Sequence, residues 1–168
     1  MNDEEWVPSS EDDEDLIGNI HQRTEELYRI ASWDVDINGV FTSPAFVLED
    51  VVVFPHMISP VFLDDEAAAL AIDAAQAENK TAVALFWSDE DDEDDPLSRF
   101  LPIGMEMAVG RMLSLQRGEH SALVQGRRRV EVMTIIETQP YLMVEVRPVT
   151  DNFRMTRQLN AMMRTSRN

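Results

Sequence analysis

Apolar residues change their spacing several times along this chain, and each change marks a predicted element. Leu16, Ile20, Leu27 and Ala31 share one helical face, while His21, Gln22, Glu25 and Glu26 lie off it, so a short amphipathic helix is predicted there. Trp33, Val35 and Ile37 then alternate with Asp34 and Asp36 before Asn38-Gly39, a pair suited to positive φ, which predicts a tight type I′ hairpin into Val40-Phe41. Phe46 to Phe54 reads as the next strand, stopped by Pro55 and resumed at Val61 to Leu63 after Pro60. Val51 to Phe54 is β-branched and aromatic and favours an extended chain, whereas the prolines lack the N–H that a central strand must donate. The run from Val51 to Phe62 therefore reads as a strand, a buried corner and a short strand.

Asp64-Asp65-Glu66 supplies a cap and negative charge for an alanine-rich helix over Glu66 to Glu78, whose large apolar residues are Leu70 and Ile72. Its many small side chains suit close packing on a sheet. Asn79 ends it, and Thr81 to Trp87 is a nearly continuous apolar run, as expected of a central strand. Beyond an acidic loop over Ser88 to Phe100, Ile103 to Leu115 reads as extended, with Gly104 and Gly110 as bulges or bends. Arg117-Gly118 supports a reversal into Ser121 to Gln125, and Arg129 to Glu137 and Tyr141 to Val149 complete a meander around Gln139-Pro140. In the last of these, Leu142, Val144 and Val146 alternate with Met143, Glu145 and Arg147, which predicts one wet face. From Asn152 onward Met155, Leu159 and Met162-Met163 return to helical spacing among Arg154, Arg157, Arg164 and Arg167.

Composition sharpens this into a domain plan. The chain has 168 residues, enough for one core with extensions. Its formal charge of −18 is concentrated: Asp3 to Asp15 holds eight acids and no base, and Asp89 to Asp95 is seven acids in succession. The rest of the chain is close to neutral, so the acidity belongs to exposed segments and speaks against nucleic acid as the main partner. Residues 1–42 are expected to form an acidic, partly disordered N-terminal extension containing the short helix and hairpin. Residues 43–150 form the body, and 151–168 start a helical linker. There is no cysteine, which excludes disulfides and thiolate chemistry. Without a basic, apolar leader or a run of ~20 apolar residues, a soluble cytoplasmic protein with no membrane partner is expected.

The residues offer little for catalysis. Lys80-Thr81 ends like a phosphate-binding loop but lacks its glycines, and no serine motif accompanies this sole lysine. His21, His56 and His120 show no metal spacing, and His56 reads as a hydrogen-bonded corner residue. The Asp89 to Asp95 run lacks the glycine and closing glutamate of a calcium loop and reads as solvated. Arg127-Arg128-Arg129 has no interleaved aromatics, so strand-edge arginines paired with acids are favoured over an RNA-binding patch. What remains is apolar surface suited to unfolded polypeptide. Met57 and Ile58 at the proline corner, Trp87 and Phe100 flanking the acidic loop, and Met112 are the candidates for such contact. For each, packing in the core is the competing reading.

The order of these motifs resembles the Lon protease N-terminal, or LON substrate-binding, domain family. The resemblance rests on Asp50 to Phe62 at the proline corner, the helix, and the Ala82 to Phe86 strand. It continues through Ile103-Gly104, Leu123-Val124-Gln125-Gly126 with Arg128-Arg129-Val130, and Gln139-Pro140-Tyr141-Leu142. Phe46-Val47-Leu48-Glu49 departs from the family's usual lead into its first strand, and the acidic extension is not part of the usual pattern. The resemblance implies a mainly β (α+β), PUA-like twisted-sheet pseudobarrel with one packed helix. It also implies a non-catalytic role: recognition of misfolded or tagged polypeptide for an ATP-dependent Lon-type serine protease. The ATPase and Ser-Lys peptidase modules would lie beyond residue 168, and a hexamer follows for the full-length protein. Cofactors are then expected to be none in this chain, with ATP and magnesium serving only the ATPase module. A stand-alone LON-domain adaptor is the alternative, distinguished by whether the gene continues into those modules, and a PUA-like RNA-binding module is a third.

Overall fold

The alternation of buried and exposed side chains along the strands is resolved into a closed ring. The computed structural model describes residues 21–49, 51–89, 92–115 and 118–149. A helical segment at 21–28 (α1) precedes β1 (Phe41–Val47), β2 (Ile58–Leu63), α2 (Glu66–Ala77) and β3 (Ala82–Leu85). A 3-10 turn at Pro96–Arg99 follows, and then β4 (Ile103–Val109), the short β5 (Leu113–Ser114), β6 (His120–Glu137) and β7 (Leu142–Pro148). The strand order is β2-β6-β4-β3-β1-β7, and β7 also pairs with β6. Five strands thus close on themselves, with β2 and β5 added along β6. Only β1 and β3 run parallel, and α2 lies between β2 and β3 in sequence and packs on β1 and β3.

Strand β6 can serve so many neighbours because it is long and irregular. Its register shifts against β4 between Glu106 and Met107, leaving Arg127 as an extra residue, and twice more against β7 at Met133 and Ile136. Each extra residue bends the strand and increases its twist, which is what coiling around a small barrel requires. The sequence reading divided this strand into Ser121 to Gln125 and Arg129 to Glu137, but Gly126 is no interruption: it stays in the ladder opposite Met107. Gly126 is instead where another part of the chain comes too close for a side chain. A methyl there would overlap the Phe54 carbonyl. Gly104 does the same on β4: a built Cβ would stand 2.7 Å from the Ala84 carbonyl oxygen, and the bulge lies further along at Glu106 and Met107.

Two apolar layers form on opposite faces of β3. Ala82 and Ala84 join Phe46, Val53, Val61, Ile72, Met107 and Val124 on the side of α2, while Val83 and Leu85 join Phe41, Phe100, Val130, Val144 and Val146 on the other. Helix α2 starts where expected: the Asp65 side chain accepts from the Ala67 N–H at 3.0 Å, and Asn79 takes a positive φ of 55° just beyond its end. Ile72 is fully buried, which is worth roughly 2 kcal/mol in transfer terms, whereas Leu70 stays partly exposed. Leu27 of α1 is fully buried, Ala31 forms a bridge with Lys80, and the Trp33 indole N–H donates to the Thr81 carbonyl at 2.7 Å.

Other local expectations are corrected. The expected strand from Phe46 to Phe54 ends at Val47; Val51 to Phe54 is in no ladder, although Val53 is buried between the exposed Val52 and Phe54. The corner is exposed at His56 and Met57, not buried, and β2 begins before Pro60. Pro60 is tolerated because β2 is an edge strand, so its missing N–H breaks no inner ladder. The predicted hairpin reduces to a turn, in which the Asp36 carboxylate accepts from the N–H groups of Asn38 at 2.8 Å and Val40 at 3.1 Å. Only Gly39 there has positive φ, so the turn is not type I′, and Trp33 to Ile37 joins no hairpin ladder. The acidic run at 3–15, Leu16 and Ile20, and the predicted C-terminal helix lie outside the described residues. Among those described, no helix is long and apolar enough to cross a membrane.

Candidate functional site

Past the end of β3 the chain leaves the ladder, makes the acidic excursion, and returns beside itself. Ser88 N–H donates to the Arg99 carbonyl at 2.7 Å, Leu101 N–H to the Phe86 carbonyl at 2.8 Å, and Trp87 and Phe100 form an antiparallel bridge. This closes the neck of the acidic loop and sets the two aromatic side chains face to face, with ring centroids 5.3 Å apart and planes inclined by 21°. Phe100 is buried and anchors the pair; Trp87 is 50% exposed. The Trp87 indole N–H donates to Glu49 Oε1 at 3.1 Å, fixing the outer edge of the ring.

The loop beyond the neck is organised by its own carboxylates. Asp92 Oδ1 accepts from the Asp94 N–H at 3.0 Å, Asp95 Oδ1 accepts from the Leu97 N–H at 3.1 Å, and Ser98 Oγ accepts from the Asp92 N–H at 2.7 Å. Such turns need short acidic side chains next to free backbone donors, so two of the seven acids have a local structural reason.

One face of Trp87 borders a groove of about 540 Å³. Val51, Phe62, Leu63, Phe100 and Leu142 give it an apolar floor, and Glu49, Asp64, Asp65 and Glu119 stand along it with Arg99. A second recess of about 450 Å³, lined by Leu48, Val52 and Phe86, shares Glu49, Val51 and Trp87 with the first, so Trp87 stands between the two. Phe62 is 69% exposed because it alternates along β2 with the buried Val61 and Leu63.

Of the five residues selected from sequence, Trp87 and Phe100 are brought together here. Met57 and Ile58 lie at the corner, where the Met57 carbonyl accepts from the Gly126 N–H at 3.0 Å; Met57 is exposed and Ile58 is half-buried. Met112 packs against the core layer that contains Ile72. None of these three lines the groove at Trp87. Sequence reasoning missed Glu49, Val51, Phe62 and Leu142. Phe62 had a signal, the two-residue alternation of β2; Leu142 is placed by the pairing of β7 with β1, and Glu49 and Val51 by the course of the unpaired segment after β1, neither of which a single sequence displays.

The arginine run on β6 is tied into the fold. Arg127 donates to the Leu27 carbonyl at 2.6 Å and to Gln125 Oε1 at 2.9 Å. Arg128 donates to Glu106 Oε1 at 2.5 Å, reaches the Trp33 carbonyl at 3.4 Å, and stacks over the Phe41 ring at 5.3 Å. Arg127 and Arg128 thus spend part of their guanidinium donors inside the fold, as expected of strand-edge arginines.

A closed ring of strands with a long shared strand and the helix α2 packed on β1 and β3 defines a mainly β, twisted-sheet α+β domain. The chain belongs to the ATP-dependent protease La (LON) substrate-binding domain family, whose model matches residues 42–168. It is 31% identical over 121 residues to Lon protease 2 of Herpetosiphon aurantiacus, covering 72% of this chain and 15% of that protein. The Lon protease of Trichlorobacter lovleyi is 30% identical over 125 residues, covering 74% of this chain and 15% of the relative. The chain therefore spans about 15% of the length of these curated relatives. Among solved structures, the N-terminal domain of Mycobacterium avium complex Lon protease aligns with a TM-score of 0.50 at 26% identity, covering 76% of this chain and 70% of that one. The Lon N-terminal domain protein from Xanthomonas campestris aligns with a TM-score of 0.51 at 14% identity over 66% of this chain and 60% of that one, a likeness of fold alone.

Proposed function

We propose that this chain captures unfolded, misfolded or tagged polypeptide in the groove beside Trp87, as the non-catalytic N-terminal part of an ATP-dependent Lon-type protease of the cytoplasm. The observation that carries this reading is the half-exposed Trp87, stacked on buried Phe100 and held at its edge by Glu49. A rigid aromatic plane beside an apolar floor can bury side chains that a folded protein would keep inside, and aromatic anchors of this kind dominate binding energy. Recognition would need no covalent step and no cofactor in this part. ATP and magnesium would act in the ATPase module, and the Ser-Lys peptidase and hexameric assembly belong to the same proposal for the full-length protein. Met57 and Ile58 would add contact along the corner, and Met112 would contribute chiefly through packing.

The test is titration of a fluorescent, reduced and alkylated model protein against the chain, followed by anisotropy. Trp87→Ala is expected to weaken binding about ten-fold, and Met57→Ala is expected to have a smaller effect. Unchanged affinity in both variants would remove this surface from the reading.

A further inference from the structure

The groove at Trp87 combines an apolar floor with a predominantly acidic rim. Glu49, Asp64, Asp65 and Glu119 line it against a single base, Arg99. None of the four carboxylates is among the ion pairs of the described residues, which join His21 to Glu25, Arg111 to Glu26, Arg128 to Glu106 and Arg147 to Glu131. Glu49 is held by a neutral indole N–H and Asp65 by a backbone N–H, so neither contact cancels a charge. The neck at Ser88 and Arg99 also ties the acidic loop to the groove, and its described acids Asp89 and Asp92 to Asp95 are all exposed. The local field therefore has the same sign as the rim.

From this complementarity we propose that the groove selects polypeptide segments whose apolar residues are flanked by lysine or arginine, and disfavours those flanked by acids. This deepens the functional reading above and rests on it. An apolar side chain would lie against Trp87 and Phe62, while a flanking cation meets Asp64 or Glu119 at the rim. Rim charges act on encounter and on the choice between partners more than on gross affinity, so the floor supplies adhesion and the carboxylates supply discrimination. A second copy of this chain is a poor occupant, because a formal charge of −18 on each copy opposes association.

The experiment uses three fluorescent peptides sharing one leucine- and phenylalanine-rich centre, flanked by lysines, serines or glutamates, titrated against the full 168-residue chain at about 0.15 M salt, where the Debye length is ~8 Å. The lysine-flanked peptide is expected to bind about five-fold tighter than the serine-flanked one, and the glutamate-flanked one more weakly than either. In Glu49→Gln/Asp64→Asn/Glu119→Gln, the preference of the lysine-flanked over the glutamate-flanked peptide is expected to disappear. Asp34→Asn/Asp73→Asn/Glu78→Gln removes as much charge from exposed positions outside the groove and is expected to keep the preference. If the distant variant loses the preference equally, or if all three peptides bind alike and Trp87→Ala weakens all three, the selectivity is overturned and the groove stands. If none of the peptides binds, the groove reading falls and the selectivity with it. A concentration-dependent dimer that competes with peptide would also overturn the proposal.

Discussion

Thr81 and Glu106, neither with any solvent exposure, are joined by a hydrogen bond of 2.7 Å from the threonine hydroxyl to Glu106 Oε2. Arg128 donates to the other carboxylate oxygen at 2.5 Å. A carboxylate with no access to water is kept in place by these two donors, and removing the arginine would strand it. Arg128→Leu is therefore expected to destabilise the domain by about 3 kcal/mol in urea unfolding. Adding Glu106→Leu should recover much of that loss, because the pair matters chiefly by not being half-removed. A single variant as stable as the parent would show that Glu106 does not depend on Arg128.

The proline corner is fastened to β6 at one residue. His56 N–H donates to the Gly126 carbonyl at 2.7 Å, Gly126 N–H donates to the Met57 carbonyl at 3.0 Å, and the Phe54 carbonyl fills the space a side chain would take. Gly126→Ala must push two backbone segments apart and is expected to cost at least ~2 kcal/mol. Thermal unfolding at the parent's midpoint would contradict this close approach.

His56 has a φ of 70°, a region that β-branched residues enter only at a cost and histidine enters more readily. His56→Val is expected to lose ~1–2 kcal/mol, and His56→Gly to stay within ~0.5 kcal/mol of the parent. Chemical denaturation of the two variants side by side measures the difference; equal stabilities would place the corner in another conformation.

Asp65 caps α2 through its carboxylate, and Ala68, Ala69, Ala71, Ile72 and Ala75 on that helix are buried. Asp65→Ala is expected to lower stability by ~1 kcal/mol, with Asp65→Asn nearly neutral. The same denaturation curves would show the cap to be irrelevant if the alanine variant matched the parent.

Phe62 separates fold from binding. Its ring is exposed while its neighbours in β2 are buried, so Phe62→Thr is expected to change stability by less than ~1 kcal/mol. Affinity for the unfolded model protein should fall nonetheless, about five-fold given the ring's place beside Trp87. A large stability loss with intact binding would reverse the assignment.

The elements that were legible in the sequence carry their cause locally. Helix α2 has its cap at Asp65 and its stop at Asn79, and β7 announces its faces through Val144 and Val146 against Glu145 and Arg147. The segment from Val51 to Phe54 shows where such reading ends. Its alternation correctly buries Val53 between exposed neighbours, but alternation reports which side faces a core and not whether a ladder partner exists. The continuity of β6 through Gly126 was not legible for a related reason: the missing side chain there serves a contact with Phe54, 72 residues earlier, which no neighbouring residue displays. At the groove, Trp87 and Phe100 could be selected as aromatics flanking a charged loop, while Glu49 and Leu142 arrive from positions that only the closed ring brings near.

The pairing of β1 with β7, Phe41 opposite Val146 and Ala45 opposite Leu142, has a consequence for biosynthesis. The first strand of the ring waits for the last, so a ribosome must release residues up to 148 before the barrel can shut. Until then β1 and the distal half of β6 are open edges, exposed to adventitious strand pairing. A nascent chain halted before Leu142 would thus present the same kind of unfinished polypeptide that the completed domain is proposed to bind.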